Sequence, residues 1–131
     1  MPYPRLSILV LTWSFIPLLA QAETWIVTDS QHPVTHFPKG ARLILLDEPE
    51  RLEDKLTALL PKSPALAQRV FNQRLAANRP LADQLSQSLQ GVAAAWSVGV
   101  RKVPAVVVER RFVVYGEPDV RQALMLIDRH K

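Results

Sequence analysis

Two β-type runs near the C-terminus, separated by a short turn, constrain the fold more than any other feature of the sequence. The stretch VGVRKVPAVVVERRFVVYGEPDV occupies residues 98–120 and contains β-branched and aromatic runs at 104–108 and 112–115. Such runs are typical of strands. The three residues between them predict an antiparallel hairpin, because a short turn is enough to join antiparallel strands but not parallel ones. Pro104 lies at the first residue of a strand, where its missing N–H is tolerated.

The N-terminal 22 residues have the pattern of an export signal. Arg5 precedes an apolar run over residues 6–19, and AQA at 20–22 supplies the small-x-small pattern that signal peptidase recognises. The apolar run is shorter than the roughly 20 residues that a membrane-spanning helix needs. We predict that this segment is cleaved, that no membrane span remains, and that residues 23–131 form one periplasmic domain. An uncleaved anchor is the alternative.

The composition excludes several classes of activity. The chain has no cysteine, which excludes thiol catalysis, disulfide exchange and thiolate metal sites. Of the 16 basic residues only Arg5 lies before residue 23, and all 12 acidic residues lie within residues 23–131. These residues therefore carry 15 basic and 12 acidic side chains and a net charge of +3. This excess is spread along the chain, without the basic blocks typical of nucleic-acid-binding proteins. We therefore expect neither direct nucleic-acid binding nor a cofactor.

Hydrophobic patterning predicts two strands upstream of the hairpin. Residues 24–28 are β-branched and aromatic, and the nearly continuous apolar run at 42–46 is typical of a strand buried on both faces. All four strands are predicted to form one sheet. The residues expected to be largely buried are Trp25, Ile44, Val106 and Leu124.

Three helices are predicted between the second and third strands, and a fourth after the hairpin. Asp47 and Glu50 have capping-box spacing for the first helix. Ser63 and Pro64 fit the N-cap and N1 positions of the second. Pro118 is predicted to begin the last helix. The third is predicted to turn one apolar face into the core, formed by Leu81, Leu85, Leu89, Val92 and Trp96. The alternative for Trp96 is that it lines a groove together with Tyr115.

The last elements resemble the C-terminal half of the thioredoxin fold: a small hydrophobe plus proline in VPAVVV, a turn, FVVYG and a closing helix. In that family this proline is cis, and its loop faces a catalytic CxxC across a peptide-binding groove. The resemblance implies that the Val103–Pro104 bond is cis and that its loop lies beside residues 29–34. It implies an α+β (α/β-like), degenerate thioredoxin-like fold. That fold has one small sheet, a helical insertion and a C-terminal hairpin plus helix.

The chain departs from the thioredoxin pattern at the redox site. Residues 29–33, DSQHP, stand where the CxxC would lie, and the connection from Thr28 to Arg42 is too short for the family's long first helix. The resemblance therefore implies a fold without redox activity.

A closer resemblance covers nearly all of residues 23–131. The blocks TDSQHPV, ARLILLDEPERLEDKL, AAAW and GVRKVPAVVVERRFVVYGEPDV are similar to a family of small exported proteins encoded in integrating conjugative elements, beside type IV secretion genes. The most specific block is KVPAVVV…VVYG. The resemblance implies a role in conjugative transfer and partners among the envelope proteins of the transfer apparatus. Members of that family have no established molecular activity.

The loop before the third strand is the candidate partner-binding groove. With no cysteines present, strand addition by an extended segment is the binding mode that remains. The alternative is a loop that shapes the fold and binds nothing. The candidate groove residues are His32, Pro33, Val103, Pro104, Ala105 and Tyr115. Four cations flank the third strand and are candidate contacts for an acidic partner, or else ordinary solvated side chains: Arg101, Lys102, Arg110 and Arg111.

A metal site is the rival interpretation. His32 and His36 have the i, i+4 spacing that places two imidazoles on one helix face for Zn²⁺, and Asp29 is the best third ligand. Pro33 and Pro38 oppose a regular helix there. No G-x-S-x-G nucleophile motif is present. We expect a non-enzymatic binding protein. The alternative is a metal-binding or metal-dependent catalytic domain centred on the two histidines, and a purely structural subunit is a third reading.

Export should remove residues 1–22. The intact mass of the protein recovered from the periplasm should match a chain that begins at Glu23. A mature form that retains Trp13 would contradict the cleavage and support the anchor.

Overall fold

A computed structural model describes residues 22–131, so the predicted signal segment lies outside the described residues except for Ala22. The elements, in chain order, are β1 (Thr24–Thr28), β2 (Arg42–Leu45), α1 (Glu48–Thr57), α2 (Pro64–Ala77), α3 (Arg79–Ser97), β3 (Ala105–Val108), β4 (Phe112–Tyr115) and α4 (Val120–Asp128). This order confirms the predicted α+β fold with a helical insertion and a C-terminal hairpin plus helix.

The four strands form one mixed sheet in the order β2-β1-β3-β4. β1 runs parallel to β2 and antiparallel to β3, and β3 and β4 form the predicted antiparallel hairpin. Val27 pairs with Ala105, so the residues that follow β1 and those that precede β3 meet at the same end of the sheet. The Val103–Pro104 peptide bond is cis, as predicted.

Alternation of side chains along the strands divides the core into two clusters, one on each face of the sheet. The cluster beneath α3 contains Trp25, Val27, Ile44, Ala95, Val100, Ala105 and Val107. The cluster beneath α4 contains Ile26, Val106, Val108, Val120, Ala123 and Ile127. All four residues of β3 are buried, because β3 is an internal strand covered on both faces. Trp25, Ile44 and Val106 are buried as predicted, whereas Leu124 is only partly buried at the rim of the second cluster.

β2 is less buried than its apolar sequence predicts. It is an edge strand, and Leu43 is 46% exposed. Leu43 lies on the same face of the sheet as α4, but α4 packs mainly on β3 and β4 and does not cover β2. Ile44, on the opposite face, is buried against α3. The prediction of a strand buried on both faces is therefore wrong, because burial here depends on position in the sheet rather than on the apolar run itself.

α3 buries a face that only partly matches the one predicted. Its fully buried residues are small: Ser88, Gly91 and Ala95. A Cβ at Gly91 would lie 3.4 Å from Cγ2 of Ile44, at ordinary van der Waals contact, so the backbone of α3 packs beside the Ile44 side chain. Of the predicted face, Leu81, Leu85 and Val92 are partly buried, whereas Leu89 is 47% and Trp96 69% exposed. The prediction that Trp96 packs in the core is wrong.

α2 packs on α1 and α3 and has no buried residue of its own. Nη1 of Arg74 donates hydrogen bonds to the C=O groups of Leu56 and Ala58, at 2.7 and 2.6 Å, and so pairs carbonyls at the C-terminus of α1. Asn78 ends α2, and its side chain accepts a hydrogen bond from the N–H of Leu81 to cap α3. None of the helices within residues 22–131 has the length and apolar character needed to cross a bilayer.

Asp47 does not form the predicted capping box. It is the N-cap residue of α1, but its side chain makes no capping hydrogen bond. Its carboxylate accepts hydrogen bonds from the N–H of Ser30, at 3.2 Å, and from the Ser30 hydroxyl. The Ser30 hydrogen bonds lower the pKa of Asp47 below its ordinary value. Asp47 therefore ties the loop after β1 to the start of α1.

Replacing Gly91 by Val tests the close approach of α3 to β2. A Cβ at Gly91 would already be in contact with Ile44, so the two γ-methyl groups of valine should press on that side chain, and the free energy of unfolding should fall by about 1–3 kcal/mol. The matched control is Ser86→Val, an exposed position of the same helix, which should change it by less than about 0.5 kcal/mol. Urea unfolding of both variants measures the difference. Equal stabilities would contradict the packing described for Gly91.

Candidate functional site

Residues 101–103 join α3 to β3 and carry free backbone groups at the end of the sheet. Within residues 22–131, neither the N–H nor the C=O of Val103 takes part in a backbone hydrogen bond. The C=O of Pro104, in contrast, accepts a hydrogen bond from the N–H of Gly116 at 2.9 Å. Val103 is thus the last residue before β3 whose donor and acceptor are both available to an added extended segment.

Two exposed aromatic side chains adjoin this segment. Tyr115 is 42% exposed, and its hydroxyl donates a hydrogen bond to the C=O of Gly99 at 3.2 Å. The N–H of Gly99 donates to the C=O of Trp96 at 2.9 Å. Gly99 has a φ of +80°, which glycine adopts without strain and which ends α3 at this point. Gly99, two residues before Arg101, is thus hydrogen-bonded both to the backbone of Trp96 and to the side chain of Tyr115.

We call Trp96, Arg101, Lys102, Val103 and Tyr115 together the pre-β3 surface. Arg101 and Lys102 are exposed, and Val103 is half-buried. Trp, Tyr and Arg are the residue types enriched at the energetic centres of protein interfaces. The surface combines such residues with two cations and an unpaired backbone donor and acceptor. Its chemistry fits an extended polypeptide segment that carries acidic side chains.

The predicted groove residues near β3 and in β4 differ in how accessible their side chains are. Pro104 and Ala105 have buried side chains, so only their backbone borders the surface. Val103 and Tyr115 are accessible. Trp96 is exposed as well, which agrees with the alternative that it lines a groove with Tyr115 and not with the core position that the helical periodicity of α3 favoured.

The loop after β1 lies at the same end of the sheet and holds the other two predicted groove residues. His32 and Pro33 are both exposed. Nδ1 of His32 is 2.6 Å from Oδ1 of Asp29, and the hydroxyl of Thr28 donates to the C=O of His32 at 2.5 Å. The hydrogen bond from His32 lowers the pKa of Asp29 below its ordinary value. These contacts hold residues 28–32 in a tight turn.

The two histidines proposed as metal ligands have different partners. His32 contacts Asp29, whereas Nδ1 of His36 lies 3.0 Å from Oδ2 of Asp119, the N-cap of α4. Nε2 of His36 also lies 3.3 Å from the guanidinium of Arg121. Within residues 22–131, no group of three or more His, Asp or Glu side chains is arranged to hold a metal ion. Each of these two histidines instead contacts a different aspartate.

The four predicted cations separate into two sets. Arg101 and Lys102 belong to the pre-β3 surface, whereas Arg110 and Arg111 lie at the opposite end of β3, in the hairpin turn. The guanidinium of Arg110 lies 5.1 Å from the centroid of the Trp25 ring, and that of Arg111 lies 5.6 Å from the ring of Phe112. These cation–π distances place both turn arginines against aromatic rings of the sheet.

Comparison with known proteins finds a family without a described function. A family model described as "Protein of unknown function (DUF1525)" matches residues 21–131. No curated protein and no solved structure matches the chain. The matched range contains every described helix and strand and the whole pre-β3 surface.

Proposed function

The chain belongs to the DUF1525 family, and we propose that it is a non-enzymatic periplasmic component of the transfer apparatus of an integrating conjugative element. In this proposal the protein binds an extended, acidic segment of another envelope protein through the pre-β3 surface. The process and the compartment are proposed from the resemblance of the sequence blocks to exported conjugation proteins and from the N-terminal signal pattern. The mode of binding comes from the geometry at the end of the sheet.

The free backbone of Val103 is the observation that carries the proposal. Val103 is half-buried at the end of the sheet, so the backbone groups that an incoming extended segment would bind are held in a fixed position. Strand addition takes its affinity from main-chain hydrogen bonds and its specificity from neighbouring side chains. Here those neighbours are Trp96 and Tyr115 for apolar contact and Arg101 and Lys102 for charge.

The charge of the surface favours an acidic partner. Within residues 22–131, Arg101 and Lys102 take part in no ion pair. Exposed cations steer an oppositely charged partner and accelerate its association, and they add less to the final affinity. A surface of five residues is smaller than a permanent interface needs and fits a transient contact.

The topology supports the thioredoxin-like part of the proposal. Pro104 is followed by β3, β4 and α4 in the order of the C-terminal half of that fold, and the loop at Asp29–His32 lies at the same end of the sheet. In the proposal this end of the fold keeps the peptide-binding role and lacks the redox role, because no cysteine is present.

Charge reversal on the pre-β3 surface tests the proposal in donor cells. The double variant Arg101→Glu/Lys102→Glu should reduce the frequency of conjugative transfer by about tenfold or more, because it places like charges against the acidic segment. Trp96→Ala should reduce it as well, by removing an aromatic contact. Immunoblots of the periplasm should show unchanged amounts of both variants.

The matched control is Lys62→Glu/Arg69→Glu, which makes the same charge change at exposed positions next to and within α2. It should leave the transfer frequency unchanged. A photo-crosslinking residue in place of Lys102 should capture one envelope protein in cells, and Trp96→Ala should abolish the capture. Normal transfer with both surface variants would contradict the proposal.

A further inference from the structure

β4 is an edge strand without the usual protection against pairing. The order of the sheet gives β4 a neighbour, β3, on one side only. Its sequence, FVVY, contains no charged residue and no proline. Natural proteins usually place lysine, proline or a bulge on exposed edges to prevent pairing with another chain. The β4 edge is therefore open to a further strand.

The hydrogen-bond pattern of the hairpin identifies the backbone groups on this edge. The N–H of Gly116 donates to the C=O of Pro104, so residue 116 points its backbone groups toward β3. Inward and outward residues alternate along an antiparallel strand, so Val114 also points inward, and Val113 and Tyr115 point outward. Within residues 22–131, no loop or turn residue pairs with the N–H or C=O of either outward residue.

We propose that β4 pairs with β4 of a second copy of the chain, antiparallel, about a twofold axis at Val114. Each Val113 then lies opposite Tyr115 of the other copy, and their outward N–H and C=O groups satisfy one another. The two four-stranded sheets become one continuous sheet. Self-complementary pairing about a twofold axis is the commonest way in which soluble proteins form oligomers.

Charge complementarity selects this register. Arg111 and Glu117 flank β4, and Gly116, with a φ of +77°, turns the chain just before Glu117. The antiparallel pairing about Val114 brings Arg111 of each copy to the end of the seam where Glu117 of the other copy leaves the strand, so one ion pair forms at each end. Within residues 22–131, neither residue has an ion-pair partner. Oε1 of Glu117 accepts a hydrogen bond from the N–H of Asp119, and its second oxygen is left for the guanidinium. Opposite charges directly across antiparallel strands stabilise the pair, and like charges destabilise it.

Neighbouring registers lack this match. A shift of two residues in one direction places Arg111 opposite Tyr115, which carries no charge. The opposite shift moves it past Glu117 toward Asp119, which has left the β4 edge to bridge Thr35 and whose carboxylate already accepts hydrogen bonds from the N–H groups of Arg121 and Gln122. The axis at Val114 is thus the register in which both charges find a partner.

The side chains on the α4 face agree with the same register. Phe112 of each copy lies opposite Gly116 of the other, where no side chain competes with the ring for space. An aromatic residue across from a glycine is a known means of stabilising strand pairing. On the other face, Val113 lies opposite Tyr115, a β-branched and aromatic pair of the kind that stabilises sheets.

A groove beside β4 supplies further apolar surface to cover. It has a volume of about 430 Å³, lies between β4 and α4, and includes Phe112, Val114 and Leu126 in its lining. Leu126 and its neighbour Met125 are exposed large apolar residues on α4. The twofold axis places both α4 helices on the same face of the joined sheet, on either side of the seam. Pairing therefore covers apolar surface that a monomer leaves in water.

A charge-swap experiment tests both the dimer and its register. Residues 22–131, which contain both core clusters and every described element, should form a dimer in sedimentation equilibrium. Arg111→Glu and Glu117→Arg should each raise the dimer Kd by about tenfold or more, because each places two like-charged pairs at the seam. An equimolar mixture of the two variants should form a heterodimer with a Kd near that of the unmodified chain, since opposite charges then face each other in both pairs.

The controls are Arg69→Glu and Glu53→Arg, which reverse the same charges at exposed positions of α2 and α1. Both should leave the dimer Kd unchanged, and thermal melts should show every variant folded. A chain that stays monomeric up to about 1 mM would overturn the proposal. A dimer that the charge variants do not weaken, or that mixing does not restore, would overturn it too. These outcomes do not depend on the partner contact at the pre-β3 surface.

Discussion

The packing of α3 on the sheet through small residues fixes which side chains the longest helix leaves exposed. Gly91 brings the backbone of α3 beside Ile44 of β2, and Ala95 is fully buried on the same face. Once the small residues face inward, Leu89 and Trp96 must face outward, and α3 ends with Trp96 beside the turn at Gly99. The packing of the core and the composition of the pre-β3 surface thus follow from a single helix orientation.

Features that depend on local sequence signals were predictable, and features that depend on tertiary contacts were not. The hairpin, the order of the elements and the helix starts near Ser63 and Pro118 follow from strand propensity, proline and capping residues. In α3 the periodicity grouped Leu89 and Trp96 with the partly buried Leu81, Leu85 and Val92, whereas the fully buried residues are Ser88, Gly91 and Ala95, a choice that depends on tertiary packing. Asp47 had the spacing of a capping box, but Ser30, 17 residues earlier, takes its carboxylate. The candidate site was located from Pro104, whereas Trp96 was assigned to the core because periodicity alone cannot show which face is covered.

The pre-β3 surface and the β4 edge offer the same kind of interaction at two places. At Val103 and along β4, backbone donors and acceptors lie at the margin of a sheet that the two core clusters hold rigid without any disulfide. Tyr115 belongs to both places, since its side chain borders the pre-β3 surface and lies opposite Val113 in the proposed seam. In the proposed dimer the antiparallel pairing of β4 places the two pre-β3 surfaces at opposite ends of the joined sheet, so each remains accessible to a separate partner segment.

The exposure of Trp96 tests the central claim most directly. Residues 23–131 contain two tryptophans, of which Trp25 is buried and Trp96 is exposed. Fluorescence of a Trp25→Phe variant therefore reports on Trp96 alone, and acrylamide quenching measures its contact with water. The orientation of α3 predicts a red-shifted emission and quenching nearly as efficient as that of free tryptophan. A blue-shifted emission protected from acrylamide would show that Trp96 packs in the core and would contradict the account of both the helix and the site.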